Sequence, residues 1–210
     1  MDDKSGWLVL AAFIAVGILL DWTNRRSRDR RTLARARTAP IAAAKDGAWA
    51  LVTGTLEAVG PAMTSPVGGE TCIGFRLEVR PAGEDESPVW TKEDAGAFSV
   101  ADRTGTMHVE GPLRIVVEQK DDWARMARED LDLLEEADVR TTGLLGDPTF
   151  EYREWLLQPG DLVSVFGLVF LEPDPAAPAA GLRAAPLIRR MRGSAERPLL
   201  VQPAERPARG

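Results

Sequence analysis

The stretch "FSVADRTGTMHVEG" (residues 98–111) reads as two short β-strands joined by a tight turn. Apolar and polar residues alternate on both sides of the turn, as expected for strands with one buried face. In the turn, Asp102 can accept hydrogen bonds from nearby backbone, and Gly105 can adopt a positive φ. We therefore predict a β-hairpin, and the pattern indicates a mainly β fold.

The only histidine of the chain, His108, lies in the second of these strands, on the same predicted face as Thr106 and Glu110. A general base needs an orienting partner and a nucleophile, and the sequence has neither a Gly-x-Ser-x-Gly elbow nor a reactive-cysteine context. One histidine and one cysteine, Cys72, cannot supply the four ligands of a structural zinc site. We predict a surface role for His108, a small buried role for Cys72, and no catalytic residue, metal or cofactor.

Other segments of strand character flank the hairpin. In residues 71–80 the side chains of Ile73, Phe75, Leu77 and Val79 alternate with polar ones, which predicts a half-buried strand. An acidic solvated loop is expected around an inward-facing Trp90. Residues 49–59, with a bulge or bend at Gly54, and residues 113–119 are further strand predictions. Within residues 151–170, a turn at residues 159–161 leads into a predicted central core strand, and residues 187–191 and 198–203 are predicted to add a short last pair.

Residues 121–138 are predicted to form one helix whose carboxylates face solvent. Its apolar stripe would consist of Trp123, Met126, Ala127, Leu131 and Leu134. Several short strands with one inserted helix predict a small OB-like β-barrel, closed or partly open. A single N-terminal transmembrane helix is expected to precede it.

The transmembrane prediction rests on residues 6–20, "GWLVLAAFIAVGILL", which carry no charge. Trp7 and Trp22 lie at the margins, where indole rings favour the headgroup layer. The sixteen residues from Trp7 to Trp22 span about 24 Å as a helix, which is short for a bilayer core of about 30 Å unless Arg25 and Arg26 extend to the interface. A cleaved signal peptide fits less well, because the start is not basic and no small-residue cleavage site follows. A buried core helix fits poorly with an apolar surface on all sides.

Residues 23–40 carry seven arginines and one aspartate, which gives this segment a charge of +6 and leaves −12 for the rest of the chain. Arginines beside a span are retained on the cytoplasmic side, so we predict a single-pass protein of the cell membrane (inner or plasma membrane) with its N-terminus outside and its body cytoplasmic. The segment can also lie against anionic lipid. An acidic body disfavours nucleic-acid binding.

The sequence therefore divides into five parts. These are a short N-terminal flank (residues 1–5), the transmembrane helix (residues 6–22), an Arg-rich linker (residues 23–40), a β domain (residues 41–202) and a disordered tail (residues 203–210).

Several segments, in order behind a predicted span, resemble the GIDE or beside-a-membrane domain: "VTGTLEAV", "TSPVGGETCIGFRLEV", "FSVADRTGTMHVEG", "EYREWLLQPGDLVSVFG" and "PLLV". This domain occurs in mitochondrial membrane-anchored RING ubiquitin ligases, in plastid relatives and in many bacterial proteins. The resemblance covers roughly residues 41–202. It marks as family-motif positions Ser65, Pro66, Cys72, Phe75, Arg76, Asp102, Gly105, Glu154, Gly160 and Asp161.

The resemblance implies a non-catalytic domain at a bilayer surface that binds a protein partner or responds to membrane or envelope stress. An accessible loop at Ser65 and Pro66 is expected to be the contact surface, and Arg76 is expected to pair with Glu154. Phe75 replaces a tyrosine of the family, which puts any role of a phenolic hydroxyl in doubt. The family domain lies away from the cytosol, whereas the arginines predict a cytoplasmic body, and we favour the arginines as a local physical cause.

Two alternatives remain open. An OB-type domain could bind oligonucleotides, but that function needs exposed aromatic residues, and Phe75 and Phe98 are predicted to point inward. Transfer of ubiquitin-ligase activity would need a RING domain, whose two zinc ions require eight ligands that this chain lacks.

Overall fold

The computed structural model describes residues 25–83, 88–117, 122–137, 149–175 and 186–203. The chain divides into two compact units, Met1–Arg37 and Thr38–Gly210. In the first unit, residues 25–35 form helix α1, which includes Arg25 and Arg26. The predicted span at residues 6–22, with Trp7 and Trp22, lies outside the described residues. Within the described residues, none of the helices has the length and apolar character needed to cross a bilayer.

The second unit is mainly β. Its described part contains two short 3₁₀ segments, Ile41–Ala43 and Arg128–Asp130, and one short helix, α2 (Asp132–Glu136). Its strands are β1 (Trp49–Ala58), β2 (Met63–Thr64), β3 (Thr71–Cys72), β4 (Gly74–Pro81), β5 (Trp90–Ala95), β6 (Phe98–Asp102), β7 (Gly105–Glu110), β8 (Leu113–Ile115), β9 (Ala124–Arg125), β10 (Phe150–Leu157), β11 (Leu162–Pro173), β12 (Leu187–Arg192) and β13 (Leu199–Pro203).

Five strands form a closed barrel. The ring runs β1, β6, β7, β12, β11 and back to β1, and all pairs are antiparallel except β7 with β12. The predicted hairpin is confirmed, because β6 and β7 pair with Asp102 opposite Gly105. The positive φ expected at Gly105 is wrong, since Gly105 is not one of the glycines with a positive φ. The central position predicted for the strand now called β11 is also confirmed. Alternate apolar side chains fill the interior, including those of Val52, Leu56, Phe98, Val100, Met107, Val109, Val163, Val165, Val169 and Met191.

Strand β1 closes the barrel by changing partners. Its first residues pair with β11 and its last residues pair with β6, with Thr55 opposite both Leu162 and Ala101. The adjacent Gly54 was predicted to mark a bulge or bend. A Cβ atom there would lie 2.3 Å from the carbonyl oxygen of Ala101, so this close approach of two strands requires glycine.

Two glycines mark the place where the sheet extends beyond the barrel. The parallel pair β7 and β12 is followed by a second parallel pair, β8 and β13, after Gly111 and Gly193. Gly111 has a φ of +94°. A Cβ atom at Gly193 would lie 2.0 Å from the carbonyl oxygen of Pro112. The two chain segments therefore cross at backbone contact. The two short strands predicted for residues 187–191 and 198–203 form as β12 and β13, but each pairs with β11 and not with the other.

A second sheet has the strand order β5, β4, β10, β9. One of its faces packs with α2 and the loop between β2 and β3 in a second apolar cluster. The buried members of that cluster are Cys72, Phe75, Leu77, Val79, Met126, Leu134 and Phe150. The expected solvated loop around Trp90 is corrected, because Trp90 begins β5 and packs half-buried against this cluster.

The prediction of one helix over residues 121–138 is wrong in its extent. Ala124 and Arg125 pair with Tyr152 and Glu151 of β10, and the Met126 amide donates to the Phe150 carbonyl oxygen at 2.9 Å. Because β10 takes these backbone hydrogen bonds, a helix cannot use them. Among the described residues of this segment, only the 3₁₀ turn and α2 are helical.

The prediction of a half-buried strand over residues 71–80 is also corrected. The strand breaks at Ile73, whose amide donates to the Leu157 carbonyl oxygen at 2.8 Å. Beyond the break, β4 is buried on both faces, since Arg76 and Glu78 are 6% and 0% exposed. The alternation of charged and apolar residues had implied that the charged face of this strand meets water. In the structure, Arg76 and Glu78 instead form ion pairs inside the protein.

Candidate functional site

A buried ion cluster lies on the charged face of the second sheet. The carboxylate of Glu78 accepts hydrogen bonds from Arg76 (Nε, 2.8 Å) and from Arg153 (Nε, 2.9 Å; Nη2, 2.7 Å). Arg153 lies directly opposite Glu78 on β10. Arg76 also pairs with Glu93 and donates to the Ile115 carbonyl oxygen at 3.1 Å. Opposite charges therefore lie side by side throughout the cluster formed by Arg76, Glu78, Glu93 and Arg153.

This ion cluster connects neighbouring strands of the second sheet. Burial lowers the pKa of Arg76 below its usual value, and the charge of Glu93 opposes that shift. Arginine side chains stay charged in proteins, so Arg76 enters the cluster as a cation. Multiple hydrogen bonds to carboxylates compensate for the water that burial removes. The cluster thus links β4, β5 and β10 through ion pairs.

Two tryptophans stack on guanidinium groups beside the cluster. The Trp123 ring centre lies 4.2 Å from the guanidinium carbons of both Arg80 and Arg153. The Trp155 ring centre lies 4.9 Å from that of Arg153. Each such contact is worth about 0.5–1 kcal/mol when exposed and about 2 kcal/mol when desolvated. The stacking explains why Trp123 belongs to this face and not to a helical stripe.

The expected pairing of Arg76 with Glu154 is wrong. Across β4 and β10, Arg76 lies opposite Trp155, whereas Glu154 lies opposite Leu77. Successive side chains of a strand point to opposite faces, so Arg76 and Glu154 lie on opposite sides of the sheet. Sequence reasoning assigned no role to Glu78 or Arg153, although the alternation of arginine and glutamate in residues 76–80 was a usable signal.

Ser65 lies at the buried base of the loop between β2 and β3. Its amide donates to the Glu70 carbonyl oxygen at 2.9 Å, and its Oγ accepts from the Glu70 amide at 3.1 Å. Ser65 is only 2% exposed, so the expectation of an accessible contact surface is wrong for this residue. Pro66 beside it is half-buried. The serine hydroxyl closes the loop from inside.

Glu154 holds the same loop from β10. Its Oε2 accepts from the Gly68 amide at 3.1 Å, while its buried Oε1 has no hydrogen-bond partner among the described residues. A Cβ atom at Gly68 would lie 2.9 Å from Oε2 of Glu154 and 3.3 Å from Oγ of Ser65. The structure therefore brings three of the family-motif positions, Ser65, Cys72 and Glu154, to one loop.

Cys72 is fully buried beneath this loop, and its chemistry follows from its surroundings. Burial raises the pKa of the thiol, and the charges of Glu154 and Glu70 raise it further. Because the thiolate is the reactive form, burial and the raised pKa both lower the reactivity of Cys72 near neutral pH. We expect a maleimide to leave the folded chain unmodified at pH 7.5 and to react fully in urea. Rapid labelling of the native protein would contradict this placement.

The raised pKa of Cys72 also predicts how stability depends on pH. The thiol has an ordinary pKa of 9.0 and a higher value in the folded chain, so this contribution is complete below pH 9 and is lost as pH rises further. Between pH 8 and pH 10.5, urea unfolding should therefore show a larger loss for the wild type than for Cys72→Ala. Equal losses in the two proteins would argue against the shift.

Asp102 organises the turn of the first hairpin. Its Oδ1 accepts from the amides of Thr104 (2.6 Å) and Gly105 (3.0 Å), and its Oδ2 accepts from the Ile41 amide at 2.9 Å. Burial by itself raises the pKa of Asp102, but hydrogen bonds from the Thr104 hydroxyl and these amides outweigh it, and the net pKa is lowered. The predicted turn role of Asp102 is thus confirmed, with an added link to the 3₁₀ segment Ile41–Ala43.

Replacing Asp102 with alanine should lower the free energy of unfolding at pH 7 by about 1–2 kcal/mol, since several amides lose an acceptor. Because the folded pKa is depressed, this contribution is present above the ordinary value of 3.8 and is lost as pH falls through the folded value. Asp94→Ala removes an exposed carboxylate and is the control. The two variants should differ at pH 7 and converge near pH 2 in urea titrations; a constant difference would contradict the assignment.

Gly160 and Asp161 form the turn between β10 and β11. Gly160 has a φ of +88°, and its amide donates to the Leu56 carbonyl oxygen at 2.8 Å. Oδ2 of Asp161 accepts from the Gln158 amide at 2.8 Å. These family-motif positions tie the turn to β1, which makes their role structural.

His108 lies on the outer wall of the barrel, half-buried between Ser99 of β6 and Arg190 of β12. Its strand alternates as predicted, with Met107 buried beside it. The Ser99 hydroxyl donates to the Glu57 carboxylate at 3.3 Å, and no hydrogen bond joins it to His108. A nucleophile and base pair is therefore not formed at this position.

An apolar surface covers another part of the outer barrel wall. Trp49 of β1 stacks on Phe166 of β11, with ring centres 5.3 Å apart and planes at 24°. Trp49 is 44% exposed, and Leu162, on the same face of β11 as Phe166, is 48% exposed. With Leu168, which lies opposite Trp49, these residues line one outer face of β1 and β11, which we call the Trp49 wall. The hydrogen-bonded hydroxyls of Thr53 and Ser164 separate its Trp49 end from Leu162.

Comparisons with known proteins give no family assignment: no family model and no curated protein matches this chain. In the parts of the chain that the structure describes, no three histidine, cysteine, aspartate or glutamate residues are grouped so that they could hold a metal ion.

Proposed function

We propose that this chain is a single-pass membrane protein whose body, residues 38–210, is a non-catalytic protein-binding module. The observation that carries the proposal is the Trp49 wall. Leaving Trp49 and Leu162 half exposed to water forfeits about 1 kcal/mol or more of burial energy for each side chain. Tryptophan is also enriched where protein partners bind most strongly. The membrane part of the proposal rests on residues 6–22 of the sequence.

The absence of catalysis is supported by how the ionisable groups of the body are used. Glu78 and Glu93 pair with the buried arginines Arg76 and Arg153, and Asp102 accepts hydrogen bonds from turn amides. The thiol of Cys72 is buried with a raised pKa. Catalytic sites need acids, bases or nucleophiles that face a cleft and have a suitable pKa. A binding function requires none of these.

The resemblance to GIDE domains supplies the more specific form of the proposal. Ser65, Cys72 and Glu154 lie around the loop between β2 and β3, as motif positions with a shared role would. A barrel whose fifth strand lies between the third and the fourth is the Greek-key arrangement of OB-folds, which supports an OB-like classification. Ubiquitin-ligase activity is not proposed, because one cysteine and one histidine cannot build a RING.

Contact through the Trp49 wall is tested by comparing two variants of the full chain in pull-downs from cross-linked membranes. Trp49→Ser with Leu162→Ser should lose a partner that the wild type captures. Val89→Ser is the matched control, because Val89 is 52% exposed but lies outside the Trp49 wall. A partner that binds all three proteins equally would reject this contact surface, and capture of no protein above background would reject the binding function.

The orientation is a separate part of the proposal. Seven arginines in residues 23–40 favour retention of the body in the cytoplasm. A reporter fused after Gly210 that is active only in the cytoplasm should give signal, and one active only outside should not. The reverse pattern would place the body outside the cytoplasm, as in the GIDE family.

Oligonucleotide binding is the second candidate, and the OB-like strand order is the observation that favours it. The ion pairs on the outer wall of the barrel argue against oligonucleotide binding, because they occupy arginines that would otherwise be available to phosphates. Arg192 donates to Glu172 at 3.0 Å, and Arg190 pairs with Glu110. A hydrogen bond from Arg190 lowers the pKa of Glu110, so the pair stays ionised. Titration of the full chain with short single strands decides: tight binding that weakens with salt would favour this candidate.

A further inference from the structure

Helix α1 presents a row of arginines. Arg28, Arg31 and Arg35 follow a spacing of three and four residues, which places them on one face of an α-helix, and all three are exposed. Leu33 is buried and Arg26 is half-buried on another face. We call Arg28, Arg31 and Arg35 the arginine stripe.

The arginine stripe differs from the arginines of the barrel wall. On β12, Arg190 and Arg192 are matched by the carboxylates of Glu110 and Glu172. Among the described residues, no ion pair or side-chain hydrogen bond involves a member of the arginine stripe. The stripe therefore presents charge that the protein itself does not neutralise, which is typical of a surface that meets an anionic partner.

We propose that the arginine stripe binds the anionic headgroups of the bilayer in which residues 6–22 are anchored. This inference rests on the proposed membrane anchor. Arg28 lies six positions after Trp22, and a chain of that length reaches at most about 22 Å. If residues 6–22 span the bilayer, the stripe begins within reach of the headgroup phosphates. Guanidinium groups suit this partner because they bind phosphate oxygens in pairs.

The same charges could serve a nucleic acid, but the chain favours the membrane. The uncharged stretch of residues 6–20 ends only eight residues before Arg28, so the bilayer would be the nearest polyanion. Each cation at an anionic surface shifts the balance between bound and free helix by roughly fivefold, and three cations shift it by on the order of 100-fold. The Arg-rich linker would thus fix the first residues of the body at the bilayer surface.

The test uses the full chain reconstituted in vesicles, with an environment-sensitive dye at position 34. Ala34 is exposed between Arg31 and Arg35, and a cysteine placed there is labelled while buried Cys72 is not. Vesicles of phosphatidylcholine are compared with vesicles containing roughly 30 mol% phosphatidylserine. The dye emission should shift to the blue only in the anionic vesicles, and R28Q/R31Q/R35Q should abolish the shift. The control R103Q/R125Q/R128Q changes the charge equally at exposed positions of the body and should keep it.

Flotation of the same vesicles separates the two proposals. A chain that does not float with either type of vesicle overturns the anchor and, with it, the inference about the stripe. Flotation with both types but no anionic blue shift, or an equal shift in the triple variant, overturns the inference alone. A stronger dye response to a single-stranded oligonucleotide than to anionic vesicles would also overturn it and would assign the stripe to nucleic acid.

Discussion

Replacement of Glu78 by alanine is expected to lower the free energy of unfolding by about 3–5 kcal/mol, because it leaves two buried guanidinium groups without their shared carboxylate. Glu78 is fully buried and accepts hydrogen bonds from Arg76 and Arg153. Urea unfolding of the full chain in a non-ionic detergent, followed by tryptophan fluorescence, measures the loss. Trp123 and Trp155 stack on Arg153, so their emission should report the change directly.

Glu151→Ala is the matched control for this variant. Glu151 pairs with Arg80 at 3.0 Å on the same sheet, but both side chains are partly exposed. Partly exposed ion pairs contribute about 1 kcal/mol or less, since water and salt screen them. A loss for Glu78→Ala no larger than that for Glu151→Ala would show that the cluster is hydrated and that its role in linking the strands is overstated.

Replacement of Gly193 by alanine is expected to cost about 3 kcal/mol, at the upper end of what overpacking usually costs. The added Cβ atom would lie 2.0 Å from the Pro112 carbonyl oxygen and 2.9 Å from the Leu199 amide nitrogen. Both contacts are with backbone atoms, which cannot rotate away as a flexible side chain can. The β8 and β13 pair must move to relieve them, so urea unfolding should detect the loss.

Gly60→Ala is the control for the backbone change itself. A Cβ atom at Gly60 would have no neighbour closer than the Ala97 carbonyl oxygen at 3.9 Å. The loss should be small there, within about 0.5 kcal/mol. Similar stabilities for the two alanine variants would mean that the crossing of Gly111 and Gly193 is looser than the structure indicates.

The barrel was accessible from sequence because its strands have one buried face. Alternation in residues 98–111 predicts the β6 and β7 hairpin, and the long apolar run before Phe170 predicts the central β11. The same rule fails for β4, where charged residues alternate with apolar ones although both faces are buried. Alternation distinguishes polar from apolar positions, but it cannot tell whether a charge meets water or an opposite charge on another strand.

The candidate site was less accessible than the fold. Ser65, in a loop rich in proline and glycine, resembled an exposed contact, but its hydroxyl bonds the loop backbone from the buried side. The spacing of Trp123 and Met126 predicted a helix, but residues 124 and 125 pair with β10 as a strand. Tertiary pairing thus overrides the local helix propensity of this segment. The sequence did not show that Trp49 lies on the surface, because a tryptophan at the start of a strand is buried as often as it is exposed.

The ring of five strands has a consequence for synthesis on the ribosome. β1 ends at Ala58, but its neighbour β11 begins at Leu162, and the parallel partner of β7, β12, begins only at Leu187. At roughly 5–20 residues per second, translation needs on the order of ten seconds to supply these later strands. During that interval the edges of β1 and β7 lack their final neighbours, and unpaired strand edges are where chains aggregate. We therefore expect the nascent body to depend on chaperones until its last quarter has been made.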